Sequence, residues 1–326
     1  MTSDHRPLAG PADLGLVSAR PLLSSPVDVT FRLAPGDRPL VSVGESVVAG
    51  ARIAERVRDP ALVELKMDSK GSRMPGERVA AGELLFEWRG RWRIAGGGLL
   101  EPLETPVAGI VRDVRPGSAI TLRAEGRAVL GVRVLGGPAR GRLALAASRD
   151  GELRSTGLDV GSAGTILVVG SRVDAETLTR ARAMGVRGII VSGLDSKERR
   201  DFAASEKRQR AALHRLAPFA VLILDGAARR PIAGPVMGVL TGLVGRDVAI
   251  VDDPPSLIID QPDDLPRPDP DHIRIRAGDL AGREGRFQAL LGPRRFRGGV
   301  QHEAALVRLD DGLEVAVALG DLERFT

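Results

Sequence analysis

The stretch HIRIRAGDLAGREGRF, residues 272–287, alternates apolar and charged positions through Ile273 and Ile275, breaks at Gly278, Gly282 and Gly285, and resumes at Phe287. A period of two marks a strand with one face on a core, and glycines between two such runs suit tight turns. Further strands are predicted at 284–291, 300–309 and 313–319, following one at 272–276. Asp311-Gly312, inside RLDDGLEV, is a strong hairpin signal between the last two. The reading is a small β-barrel over 272–326.

Upstream lies DDPPSLIIDQPDDLPRPDPD, 252–271, with six prolines and seven aspartates. Proline and charge stiffen such a segment into a linker, within which SLIID alone is suited to pair, as an edge strand. Before it, TILVVG (165–170), GIIVSG (188–193), FAVLILDG (219–226) and DVAIVDD (247–253) alternate with helical runs at 174–185, 196–216 and 234–245. Strands that are continuously apolar belong to a parallel sheet covered on both faces, so a doubly wound α/β domain is predicted. Asp174 is placed to cap its first helix and Gly185 to close it.

Residues 20–145 are richer in glycine, valine and short alternating runs. GESVVAG (44–50) is echoed by GERVAAG (76–82), and TPVAGIVRDVRPGSAITLRAEGRAVLG (105–131) adds alternating Val107, Ile110, Val114, Ile120 and Leu122. Glycines on either side of an inward Val47 or Val79 suit a strand between tight turns. The expected organisation is an arm at 1–19, a β domain at 20–148, the α/β domain at 149–260, the linker at 261–271 and the barrel at 272–326.

Two resemblances sharpen this outline. Pro39, Val41, Gly44, Glu45, Val47, Gly50 and Ile53, followed by Pro106, Gly109 and Val111, resemble the barrel-sandwich hybrid of biotinyl and lipoyl domains. The likeness is greatest to the N-terminal hybrid domain of the Rnf electron-transport C subunit. That family's cysteine motifs are absent from this chain, so electron transfer does not carry over. The 272–287 pattern resembles the KOW motif of NusG-type transcription factors and of several ribosomal proteins, which implies an SH3-like barrel and contact with nucleic acid or a protein assembly.

Composition bounds the chemistry. In 326 residues there are no cysteines, so thiolate clusters, disulfides and thiol nucleophiles are excluded. The four histidines are scattered, without metal-ligand spacing. A net charge of +5 is weak grounds for nucleic-acid binding. No run approaches the roughly 18 apolar residues of a membrane span, and MTSDHRPLAGPADLG lacks an apolar centre, so a soluble, cytoplasmic protein is expected.

Candidate sites follow from residue type. Arg294, Arg295 and Arg297 around Phe296, extended by Arg283 and Arg286, offer bidentate phosphate contacts and a stacking face for a base, suited to RNA or single strands. The α/β domain carries no Gly-rich phosphate loop after its first strand. Asp225, Asp252 and Asp253 fall at predicted strand ends, where they suit a divalent cation or simply cap turns. Arg229 and Arg230 precede a helix whose free N–H groups suit a phosphate or carboxylate. Lys207, Arg208 and Arg210 form a basic face on the 196–216 helix.

No catalytic residue is legible. The reading is a non-enzymatic binding or scaffold protein whose KOW-like barrel contacts RNA, DNA, a ribonucleoprotein or an RNA polymerase assembly. The alternative is an enzyme or small-ligand sensor with an anionic-ligand or metal site at the carboxyl edge of the α/β domain, built on Ser192, Asp225, Arg229, Arg230 and Asp252; no metal ligand is picked out and no cofactor is assigned.

VELKM, 63–67, resembles a degenerate copy of a biotin-carrier hairpin, but Lys66 lies 16 residues beyond Gly50 and 40 before Pro106, which removes the tight hairpin such a lysine needs. The intact mass of the purified chain is therefore expected to equal its sequence mass, without a biotinyl or lipoyl increment at Lys66.

Overall fold

A computed structural model of the protein describes residues 13–33, 37–57, 62–63, 84–88, 91–94, 100–212, 217–260, 265 and 267–326. The second glycine-spaced copy at 76–82, Lys66 and Lys70 lie outside the described residues. The chain divides into two compact units, Asp28–Arg123 and a larger one joining Met1–Val27 to Ala124–Thr326. Its class is mixed α/β with additional β-sheets, and among the described residues none of the sheets closes on itself.

In the smaller unit, Gly44 and Gly50 have φ of +88° and +87°, which only glycine adopts without strain, and Val47 between them is buried. The Gly44 N–H donates to the Val111 carbonyl and the Val111 N–H to the Glu45 carbonyl, each at 2.8 Å. The Gly50 N–H donates to the Thr105 carbonyl at 2.7 Å. The 44–50 and 105–111 segments are thus clasped together. Val29, Phe31, Ile53, Val107, Ile120 and Leu122 are buried with Val47. Ile110 is exposed: pairing of Gly109 with the buried Val47 sets the register, and a period of two then turns Val111 inward.

The larger unit holds an eight-stranded sheet in the order Arg127–Leu130, Pro255–Ile259, Asp247–Asp252, Ala139–Leu145, Thr165–Val168, Gly188–Gly193, Ala220–Gly226, Arg133–Gly136. The run from Ala139–Leu145 to Ala220–Gly226 is parallel. Helices α1 (Ala175–Ala183) and α2 (Ser196–Ala212) cover one face through Leu178 and Phe202, and α3 (Gly234–Gly242) covers the other through Val236, Val239 and Leu240. The Asp174 carboxylate caps α1, accepting the Thr177 N–H at 2.7 Å, and Gly185 follows its C-terminal end.

Three features depart from the sequence expectation. Asp247–Asp252 is antiparallel to Ala139–Leu145, because the turn after α3 bonds reciprocally with Leu143 (Gly245 N–H to its carbonyl, its N–H to Arg246) and so starts an antiparallel ladder. Pro255–Ile259 is an interior strand, covered on its far side by Arg127–Leu130. Strands from 127–145 belong to this sheet, upstream of the expected boundary at 149.

The last sheet runs Ser18–Arg20, Leu322–Phe325, His272–Ile275, Glu284–Arg295, Gln301–Leu309, Glu314–Ala318. Its core is Ile273, Ile275, Phe287, Val307, Leu309 and Leu322, joined by Leu14 and Val17. The N-terminal segment expected to be an arm therefore supplies an edge strand, parallel to the last one. Leu22 and Phe325 extend into the α/β core, so the two sheets share apolar packing.

Gly285 has no room for a side chain: a Cβ there would stand 2.2 Å from the Arg308 carbonyl oxygen. Gly285→Ala is expected to cost about 1–3 kcal/mol in urea unfolding. Gly320→Ala, where nothing lies within 4 Å of the added carbon, is expected to change stability by less than about 0.5 kcal/mol.

Candidate functional site

The crevice beyond the carboxyl ends of the parallel strands is where such sheets collect ligands. Here the chain's own charged side chains line it and pair with one another. Asp225, at the end of Ala220–Gly226, accepts Arg20 Nη1 on Oδ1 and Arg274 Nη1 on Oδ2, each at 2.9 Å, and the buried Ser192 hydroxyl donates to Oδ2 at 3.0 Å. Arg20 also donates to the Leu130 and Leu224 carbonyls, and Arg274 to that of Pro231. Glu323 lies 3.6 Å from Arg274. Burial pushes the Asp225 carboxyl up, but Arg274 and Arg20 outweigh it and hold the group below the ordinary carboxylate range.

A second clasp sits at the α3 N-terminus. Both oxygens of Glu284 accept the Gly234 N–H, at 3.0 and 3.1 Å, and Arg149 pairs with the same carboxylate at 2.9 Å. Its side chain is 1% exposed. The helix end and the positive dipole that the sequence offered to an external anion are thus satisfied by a carboxylate from the C-terminal sheet. His272 Nε2 stands 3.5 Å from Glu284 without hydrogen-bond geometry.

Of the ligand residues expected in the α/β domain, Ser192 and Asp225 are in contact. Arg230 reaches the same neighbourhood, donating to the Arg276 carbonyl at 2.8 Å and lining, with Arg20, Asp225, Arg274, Arg276 and Glu323, a cleft of about 650 Å³. Arg229 is exposed, its Nε 3.5 Å from the Ser171 hydroxyl. Asp252 is not part of the group: three strands separate it from Ala220–Gly226, and its antiparallel strand ends at the opposite edge of the sheet. Among the described residues, no group of three or more acidic or histidine side chains is arranged to hold a metal ion.

Sequence reasoning missed Arg20, Arg149, Arg274, Glu284 and Glu323. Only Arg274 left a trace, as a charge between Ile273 and Ile275, whose side chains enter the C-terminal core. Alternation turns Arg274 to the opposite face, and nothing local announces that this face is buried.

The nucleic-acid candidates divide into two groups. Strands Glu284–Arg295 and Gln301–Leu309 pair throughout, but His272–Ile275 flanks only 284–286 and Glu314–Ala318 flanks only 304–308. Residues 292–303 therefore form a two-stranded ribbon with no strand on either side among the described residues. Its turn is closed by the Phe296 N–H to the Val300 carbonyl and the Gly299 N–H to the Phe296 carbonyl, each at 3.0 Å. Arg294, Arg295 and Arg297 are exposed there. Arg295 Nε donates to the Gly299 carbonyl, and Arg297 meets Asp279 at 3.1 Å in a pair almost wholly in solvent, which contributes little.

Phe296 is half-buried against His302, with ring centroids 6.2 Å apart. Arg283 and Arg286 precede the ribbon, Arg286 about 33 Å from Phe296 at strand rise, and pair with Asp311 and Asp269. Lys207 and Arg208 are exposed on α2, and the Arg210 side chain lies outside the described residues.

Arg274→Ala and Asp225→Ala are each expected to destabilise the protein by about 1–3 kcal/mol, because each removes a buried charged hydrogen bond, while Arg20 and Ser192 still hold Asp225 in the first variant and Glu323 still faces Arg274 in the second. The double variant should cost less than the sum, measured by chemical denaturation. Since the folded Asp225 carboxyl is depressed, its contribution is full above the unfolded value of about 4 and declines as pH falls through the folded one. Asp225→Asn should flatten that acid limb.

No family model matches the chain, and no curated protein is significantly similar to it in sequence.

Proposed function

We propose that this is a non-enzymatic, multi-domain binding protein whose C-terminal sheet is an SH3-like, KOW-type barrel that contacts nucleic acid in a transcription or translation assembly. The observation that carries the reading is the projecting ribbon, with Arg294, Arg295 and Arg297 exposed around Phe296. Three guanidinium groups on an unflanked hairpin reach phosphates without rearrangement of the core.

The finer fold reading draws support from topology. The last strand pairs with the first of the 272–326 segment, the others follow in sequence, and the 3-10 helix Leu319–Asp321 precedes the last strand, an order that resembles SH3-like barrels. The clasp between the Gly44–Gly50 and Thr105–Val111 elements supports a barrel-sandwich hybrid in the smaller unit. A ligand-processing site at Asp225 is the weaker reading, because both carboxylate oxygens are already held by Arg20, Arg274 and Ser192.

Affinity for labelled RNA and DNA, measured by fluorescence anisotropy, should fall steeply with salt. Replacing Arg294, Arg295 and Arg297 together by Glu should abolish it, and the slope of log affinity against log salt carried by these three cations is about −2 for a single strand. Binding that ignores salt, or that survives the triple replacement, would sink the proposal.

A further inference from the structure

The two faces of the ribbon are chemically different. Arg294 pairs across with His302, and Arg295 with Gln301, so alternation sends each pair to one face. Phe296, two residues beyond Arg294, returns to the Arg294–His302 face, and its ring meets the His302 ring at an interplanar angle of 52°. That face presents a guanidinium and two tilted rings, with Arg294 and His302 exposed and Phe296 half-buried. The other presents Pro293, Arg295, Gln301 and Glu303, where the carboxylate opposes a phosphate track.

From this asymmetry we infer that the ribbon takes single-stranded nucleic acid, stacking an unpaired base on the Phe296–His302 face while Arg294 holds the adjoining phosphate. The inference rests on the proposed nucleic-acid reading and adds the form of the strand. In a duplex the base faces are stacked on one another, so an aromatic face can be used only after a base is extruded. In a single strand the base faces are accessible, and every base offers one. A phosphate-binding function alone requires arginines; it does not require rings placed beside one of them. Stacking does not read the sugar, so single-stranded RNA and DNA are equivalent ligands for this face.

The test uses the full chain and a labelled strand of about 12 nucleotides, as RNA and as DNA, each alone and annealed to its complement. Both single strands are expected to bind at least about 10-fold more tightly than the duplexes. Phe296→Leu should weaken single-strand binding between about 5-fold and about 100-fold, the range of one aromatic–base stack, and leave duplex binding unchanged. Phe296→Trp should retain the preference. His302→Ala, at an exposed position, should reduce it without disturbing thermal stability.

Equal affinity for single strand and duplex overturns the inference, as does a Phe296→Leu variant that binds single strands normally or loses both forms equally. In each case arginine-dependent binding would still stand. Absence of binding to every probe at low salt overturns the nucleic-acid reading itself.

Discussion

Asp225 lies between two guanidinium groups that come from opposite ends of the chain, Arg20 and Arg274, each 2.9 Å from its carboxylate. The group is almost wholly removed from water, a position in which an unpaired carboxylate is prohibitively costly and a paired one is tolerated. Everything around it follows from that requirement. Arg20 can reach Asp225 only if the N-terminal strand lies beside the last strand, and Arg274 only if the C-terminal sheet covers the ends of the parallel strands.

Glu284 repeats the same logic beside it. Its carboxylate fills the N-terminus of α3 and pairs with Arg149, so a helix end that commonly receives a ligand is closed by the protein itself. Buried ionic contacts of this kind contribute modestly to net stability, since desolvation offsets most of their attraction, but they penalise every arrangement that leaves one partner alone. The C-terminal sheet is thereby fixed on the α/β sheet at one face, while its long hairpin remains outside the shared core. Arg294, Arg295 and Arg297 on that hairpin are exposed.

Much of the architecture was legible. The continuously apolar runs at 165–170, 188–193 and 219–226 became the parallel strands, because burial on both faces demands that composition. The Gly278, Gly282 and Gly285 pattern and Asp311-Gly312 became the turns and close approach of the C-terminal sheet. Ala139–Leu145 carries no such signature, since Arg140 and Arg142 give it the alternation of a strand covered on one face, although it pairs in parallel with Thr165–Val168. Asp252 was expected beside Asp225, because the antiparallel direction of Asp247–Asp252 is set by its partner strand and leaves no mark on composition.

By itself, the sequence determined what depends on neighbours along the chain: periodicity, turn chemistry, the cap at Asp174, the arginines around Phe296, and the absence of thiol chemistry. Tertiary structure alone decided which charges are neutralised. Asp225 and Arg20 are 205 residues apart and Gly234 and Glu284 are 50 apart, so their pairing is invisible to any local pattern. It is also the pairing that holds both oxygens of Asp225 within the protein, while Arg294, Arg295 and Arg297 beside Phe296 stay exposed. Burial and partner geometry, which set whether a charge faces water or another charge, come from the fold as a whole.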